Sequence, residues 1–206
     1  MINQIQTQIS HESVNKTDCV CVNTSDHISA SIIWLHGLGA DNTNFLDIIP
    51  LLNIEPQSGI RFVFPNAPHR AITINAGMHM RAWYDIYDLD KMSIEDKTGI
   101  LESEAIIHEL VDHEKSNHNL NSDQIILAGF SQGGAMSLFS GLRYHEKIAG
   151  ILALSCYLPL ESEVKNATDS KNAKTPTLLM HGNNDPVIPL HAAKLTHDAL
   201  ASKGFS

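Results

Sequence analysis

At 206 residues, 43% hydrophobic and 18% charged, the chain has material for one sizeable core and too little length for two full domains, so a single domain over residues 1–206 is expected. The net charge of −9 comes without a lysine/arginine cluster, which argues against nucleic acid or an anionic membrane surface as the main partner. Met1 to Ser10 is polar, without the basic-then-apolar order of a secretory signal, and no apolar run approaches bilayer-spanning length. No stable membrane insertion is expected, and the cytoplasm is the default compartment.

In chain order, Ser13 to Val22 reads as one or two edge strands, best at Cys19 to Val22. Cys19, Cys21 and Cys156 are an odd number of cysteines, with the Cys-x-Cys pair on that strand, so buried free thiols are expected rather than a disulfide or a metal site. Ala30 to Leu35 is an apolar run that stops at His36-Gly37-Leu38-Gly39-Ala40-Asp41, a buried strand feeding a glycine loop. Asn42 to Leu52 carries Phe45, Leu46, Ile49 and Leu52 at helical spacing. Arg61 to Phe64 reads as another buried strand, stopped by Pro65 and Pro68. Ala71 to Tyr87 is irregular and rich in large side chains, as expected of a segment covering a site. Ser93 to Ser116 reads as a long amphipathic helix with Ile100, Leu101, Ile107, Leu110 and Val111 as its buried stripe.

The next element is the most informative. Ile125-Ile126-Leu127-Ala128 is a short apolar strand, Gly129-Phe130-Ser131-Gln132-Gly133 is a sharp turn, and a helix to about Tyr144 follows. This G-x-S-x-G turn is a nucleophile elbow: the serine takes a strained backbone conformation, and flanking glycines let strand and helix approach closely. A plain glycine-rich turn with a helix-capping serine fits the same residues. Ile148 to Ser155 is a further strand, Glu161 to Lys174 a polar linker, and Thr175 to Met180 the last strand. That strand ends in His181-Gly182-Asn183-Asn184-Asp185-Pro186, and a helix from about Pro189 to Lys203 follows. Strands alternating with helices imply an α/β fold, with a mostly parallel central sheet and helices on both faces.

In such a sheet the loops after the strands' carboxyl ends share one edge, so the His36 loop, the Ser131 elbow and the Asp185 loop meet there. A serine nucleophile needs an imidazole to take its proton, an acid to orient that imidazole, and two N–H donors for the oxyanion. The donors expected are the backbones of Gln132 and Leu38. Asp185 is placed to be the acid, although a turn-forming Asp before proline reads the same way. His36 is better placed to brace its loop than to act as base, and the other histidines lack metal-ligand spacing.

The segments Trp34 to Asp41, Phe64-Pro65-Asn66-Ala67-Pro68, Met80-Arg81-Ala82-Trp83-Tyr84-Asp85, Gly129 to Gly134, and His181-Gly182 with Asp185-Pro186-Val187 occur in one order and spacing from about Ala30 onwards. In these the chain resembles the carboxylesterase and acyl-protein thioesterase family of α/β-hydrolases, in particular its bacterial carboxylesterase branch. The resemblance implies an α/β-hydrolase fold, Ser131 as nucleophile, Asp185 as triad acid, and Leu38 and Gln132 as oxyanion hole. It also implies Met78 to Trp83 as acyl-pocket lining, Met78 and Trp83 foremost. In that family the triad histidine comes after the acid, past one more strand, whereas this sequence stops at Ser206; the C-terminal strand and helix are therefore expected to be missing. Of the histidines after Asp185, His197 sits too far along its helix to reach Ser131, and His191, in the first turn, is nearer but poorly directed.

The function expected is a serine hydrolase that cleaves carboxylic esters or thioesters of small or acyl-chain substrates through an acyl-enzyme on Ser131. It needs no cofactor and no metal, its partner is the ester substrate, and homodimerisation is left open. The alternative is a non-catalytic, hydrolase-like protein that binds acyl ligands.

Overall fold

A computed structural model describes residues 8–55, 57–88 and 94–205. Seven strands form the main sheet in the order β1-β2-β4-β3-β7-β8-β9: β1 (Gln8–Val14), β2 (Thr17–Asn23), β3 (Ala30–Leu35), β4 (Ile60–Pro65), β7 (Ile125–Phe130), β8 (Gly150–Leu154) and β9 (Thr177–Met180). β1 and β2 pair antiparallel at one edge, and the pairs from β4 through β9 are parallel. A separate hairpin, β5 (His69–Ile72) with β6 (Met78–Arg81), overlaps the segment from Ala71 to Tyr87 expected to be irregular.

Side-chain alternation along each strand builds two cores. Cys19, Cys21, Ile33, Leu35, Val63, Leu127, Ile151 and Ala153 point to one face, where α1 (Lys97–His118), α2 (Gln132–Arg143) and Leu200 of α3 (Leu190–Ser202) meet them. Val20, Val22, Trp34, Phe62, Phe64 and Ala128 point to the other, covered by Ile49 and its neighbours. The helix expected over Asn42 to Leu52 is a 3-10 segment, Leu46–Leu52, with Pro50 inside it. Proline has no N–H to donate and crowds the preceding turn, so an α-helical ladder cannot run through that stretch. The long helix expected from Ser93 starts at Lys97, with Asp96 accepting from Gly99 N–H as its cap, and Ser93 itself lies outside the described residues. On the second face β9 leaves Leu178 and Met180 each 55% exposed at the sheet edge. All three cysteines are buried and unpaired, and burial pushes the Cys19 and Cys156 thiols up to about 12. Among the described residues no helix is long and apolar enough to cross a membrane.

The polar stretch expected as a linker is instead clamped to the core. Asn172, fully buried, accepts from Ile148 N–H and donates to the carbonyls of Tyr144 and Glu146. The first core also holds a charge. Arg61 Nε donates to both carboxylate oxygens of Glu114 at 3.1 Å, and its other nitrogens reach Glu12 and Asn23. The side chains of Arg61 and Glu114 are each 2% exposed. Removing one partner of a buried pair strands the other charge, so Arg61→Met should lower stability by about 3–5 kcal/mol in urea titrations. Arg61→Met with Glu114→Leu should recover most of that loss; a double variant as unstable as the single one would show that packing, rather than the stranded charge, sets the cost.

Candidate active site

The elbow forms where β7 hands over to α2. Ser131 sits at the helix N-terminus with φ 55° and ψ −122°, in the positive-φ region that L-residues avoid, and its N–H donates to Leu154 O at 2.8 Å. The side chain makes no capping bond, and Ser131 Oγ has no hydrogen bond among the described residues. The capping alternative therefore fails, and the hydroxyl is presented to a cavity. Gly133 is what lets the strand and helix close up: a Cβ there would run into the carbonyl oxygens of Leu35 and His36. Gly37 lies against the nucleophile, since a Cβ built on it would stand 3.4 Å from Ser131 Cβ.

Ser131, Leu38 and Gln132 line one cavity of about 510 Å³. Gln132 is the first residue of α2, where an N–H has no partner within the helix, and Leu38 makes no hydrogen bond among the described residues. Both amides are thus free to receive an oxyanion beside the hydroxyl. The rest of the lining is largely apolar, with Phe45, Ile74, Ile86, Phe130, Val187 and Ile188 contributing.

His36 braces its loop. Its Nε2 accepts from Ala67 N–H at 3.0 Å, so Nδ1 carries the proton and donates to Gly37 O at 2.7 Å. Burial holds its pKa below the ordinary imidazole value, and with both nitrogens committed it cannot take a proton from Ser131. The Asp185 carboxylate accepts through Oδ1 from Val187 N–H at 2.9 Å and Ile188 N–H at 3.0 Å. The Ile188 and Val187 amides hold its pKa below the ordinary carboxylate value, and the two residues they belong to line the cavity. Beside it His181 Nε2 donates to Ile188 O at 2.7 Å, which pins the loop. His191 and His197 are exposed on α3. Among the described residues no histidine lines the cavity.

Met78 and Trp83 are not among the residues that line this cavity. Met78 is 63% exposed on β6, and Trp83 is 0% exposed behind the site. Trp83 Nε1 donates to His36 O at 2.9 Å, its backbone N–H donates to Gln132 Oε1 at 2.8 Å, and its carbonyl accepts from Ser103 Oγ. Gln132 Nε2 donates in turn to Tyr84 O at 2.7 Å, and Arg81 O accepts from Gly39 N–H at 2.8 Å. The segment thus braces the oxyanion loop and the elbow from behind. Sequence reading missed the residues nearer the cavity: Ile74, Asn75, Tyr84, Ile86 and Tyr157. The large side chains between Ala71 and Tyr87 were the available signal for four of them.

A nucleophile elbow, a glycine-loop amide and a carboxylate loop at one edge of a mostly parallel sheet define an α/β-hydrolase site. The chain belongs to the phospholipase/carboxylesterase family, whose model matches residues 16–204. It is 37% identical over 179 residues to acyl-protein thioesterase 1 homolog 1 of Dictyostelium discoideum, covering 86% of this chain and 78% of that one. It is 39% identical over 174 residues to acyl-protein thioesterase 1 of Schizosaccharomyces pombe, covering 84% and 76%. Among solved structures, Arabidopsis thaliana SOBER1 superposes with a TM-score of 0.78 at 29% identity over 86% of this chain and 85% of that one. Zea mays acyl-protein thioesterase 2 superposes with a TM-score of 0.77 at 28% identity over 91% and 85%.

Proposed function

We propose that this chain is a serine hydrolase that cleaves carboxylic esters and thioesters whose acyl part is apolar. One observation carries the reading: on a backbone at positive φ, the unbonded Ser131 hydroxyl opens into an apolar cavity lined also by Leu38 and Gln132, whose amides are free. Ser131 Oγ attacks the carbonyl carbon while its proton passes to an imidazole, and the two amides hold the resulting oxyanion. The alcohol or thiol takes the proton and leaves an acyl-serine, which water then hydrolyses to the free acid. Asp185, held ionised, orients and stabilises the imidazolium. The acyl-protein thioesterases among the relatives support thioesters as substrates.

A second reading has its own observation. No histidine among the described residues lines the cavity, so these residues alone describe a protein that binds acyl groups and turns them over slowly. The test of the nucleophile is Ser131→Ala, assayed on a short p-nitrophenyl ester and by mass spectrometry after exposure to a fluorophosphonate. With free imidazole supplied as base, wild type should turn the ester over and gain one adduct at Ser131. The variant should stay folded, gain none and lose turnover; one that keeps more than a tenth of the wild-type rate removes Ser131 from the mechanism.

A further inference from the structure

Tyr157 borders both the cavity beside Ser131 and a second space. The first, about 510 Å³, is lined by Phe130, Ser131, Tyr84 and Tyr157 among others; the second, about 370 Å³, is lined by Tyr157 together with Glu95, Leu158, Ala192, Leu195 and Ala199. Tyr157 is the residue common to both linings.

Its backbone cannot drift. Ser155 N–H donates to Met180 O at 2.8 Å, Leu158 N–H donates to Thr196 Oγ1 at 2.8 Å, and Leu160 N–H donates to the Glu95 carboxylate at 3.0 Å. The ring is held from the cavity side. Tyr84 Oη donates to Tyr157 Oη at 3.2 Å, and Tyr84 is itself buried, with its carbonyl tied to Gln132 Nε2. A half-buried aromatic residue with a fixed backbone and a hydroxyl latch, shared by the linings of two spaces, is placed to divide them.

We propose that Tyr157 is the partition that sets the longest acyl chain the Ser131 cavity accepts, and that the groove along α3 is the extension it closes off. The inference rests on the acyl-hydrolase reading for the identity of the ligand. The groove suits an extended chain: Leu158, Ala192, Leu195 and Ala199 supply apolar walls, and Glu95 and Glu161 lie among its lining residues. With the ring in place an acyl tail stops against it; with the ring removed the tail continues into the groove. The ring itself sets the limit, and the Tyr84 hydroxyl, 73 residues away in the chain, only steadies it.

The test is a binding measurement and needs no turnover. Saturated fatty acids from butanoate to hexadecanoate, below their micellar concentrations, are titrated by calorimetry into wild type and into Tyr157→Ala, Tyr157→Leu and Tyr157→Phe. In wild type the affinity should rise about fourfold per buried methylene and then level off at one chain length. Levelling should move to longer acids in the Ala and Leu variants and stay in place in the Phe variant. Leu195→Trp, which fills the groove, should leave wild type unchanged and restore the shorter limit in the Tyr157→Leu background. Leu provides the reading if the Ala variant does not fold. Levelling at the same length in wild type and the Leu variant, no levelling in wild type, or no binding of any acid overturns the proposal. If the limit moves but Ser131 takes no fluorophosphonate, the hydrolase reading fails and the partition stands; if Ser131 is labelled and the limit does not move, the partition fails alone.

Discussion

Gly133→Ala is expected to leave no stably folded protein. The added methyl group would collide with two backbone oxygens, those of Leu35 and His36, and neither can retreat. Leu35 is paired with Gly129 in the middle of the sheet, and His36 O accepts the Trp83 indole N–H. Relief requires α2 to lift off β3 and β7, which would open the core formed by Ala135, Met136, Leu138 and Phe139. A cost above about 4–5 kcal/mol follows from overpacking against immovable backbone, which reaches the lower end of the roughly 5–15 kcal/mol by which domains are stable. Gly77→Ala is the contrast: nothing lies within 4 Å of its Cβ, and only the positive φ of 76° opposes it, at about 1–2 kcal/mol. Circular dichroism and urea titration of the two variants make the comparison, and a Gly133→Ala protein within about 1 kcal/mol of wild type would show that α2 can shift without opening the core.

That glycine also shows what the sequence makes legible. Gly129, Ser131 and Gly133 mark the elbow because the backbone there demands particular residue types locally, and a strand-turn-helix pattern announces itself within a dozen residues. The same holds for the parallel strands, whose apolar runs are continuous because the sheet is covered on both faces. What stays hidden depends on partners far apart in the chain. Arg61 reads only as the start of a buried strand, and the partner that lets it be buried, Glu114, lies 53 residues away. Trp83 and Met78 share a motif with the site and are read as pocket lining. Which way an indole points is set by His36 O and Gln132, neither of which a spacing pattern can locate. The wall at Tyr157 is invisible for the same reason, since its latch comes from Tyr84 on a separate loop. Pro50 is the opposite case: a local signal, present in the sequence beside the helical spacing, that decides the element.

Ester turnover by this 206-residue chain should be slow and should rise saturably with free imidazole. The Ser131 hydroxyl makes no hydrogen bond among the described residues, and each candidate base is otherwise disposed. His36 has both nitrogens engaged, His181 donates to Ile188 O, and His191 and His197 are exposed on α3. Without a positioned base, a serine hydrolase loses on the order of 10⁶ in kcat, retaining what the oxyanion donors and binding supply. Imidazole is small enough to enter a cavity of about 510 Å³ beside Ser131, where it can accept the hydroxyl proton, and Asp185, whose loop neighbours Val187 and Ile188 line that cavity, is the carboxylate expected to steady the cation. The stimulated rate, corrected for hydrolysis by imidazole in solution, should vanish in Ser131→Ala and fall in Asp185→Asn. Turnover near the ordinary enzymatic value of about 10 s⁻¹ without imidazole would mean that a histidine of this chain, His191 first, swings into the cavity and serves as base. No stimulation together with no fluorophosphonate adduct would leave acyl binding as the activity of these residues, because an unactivated serine in an intact cavity still binds what it cannot cleave.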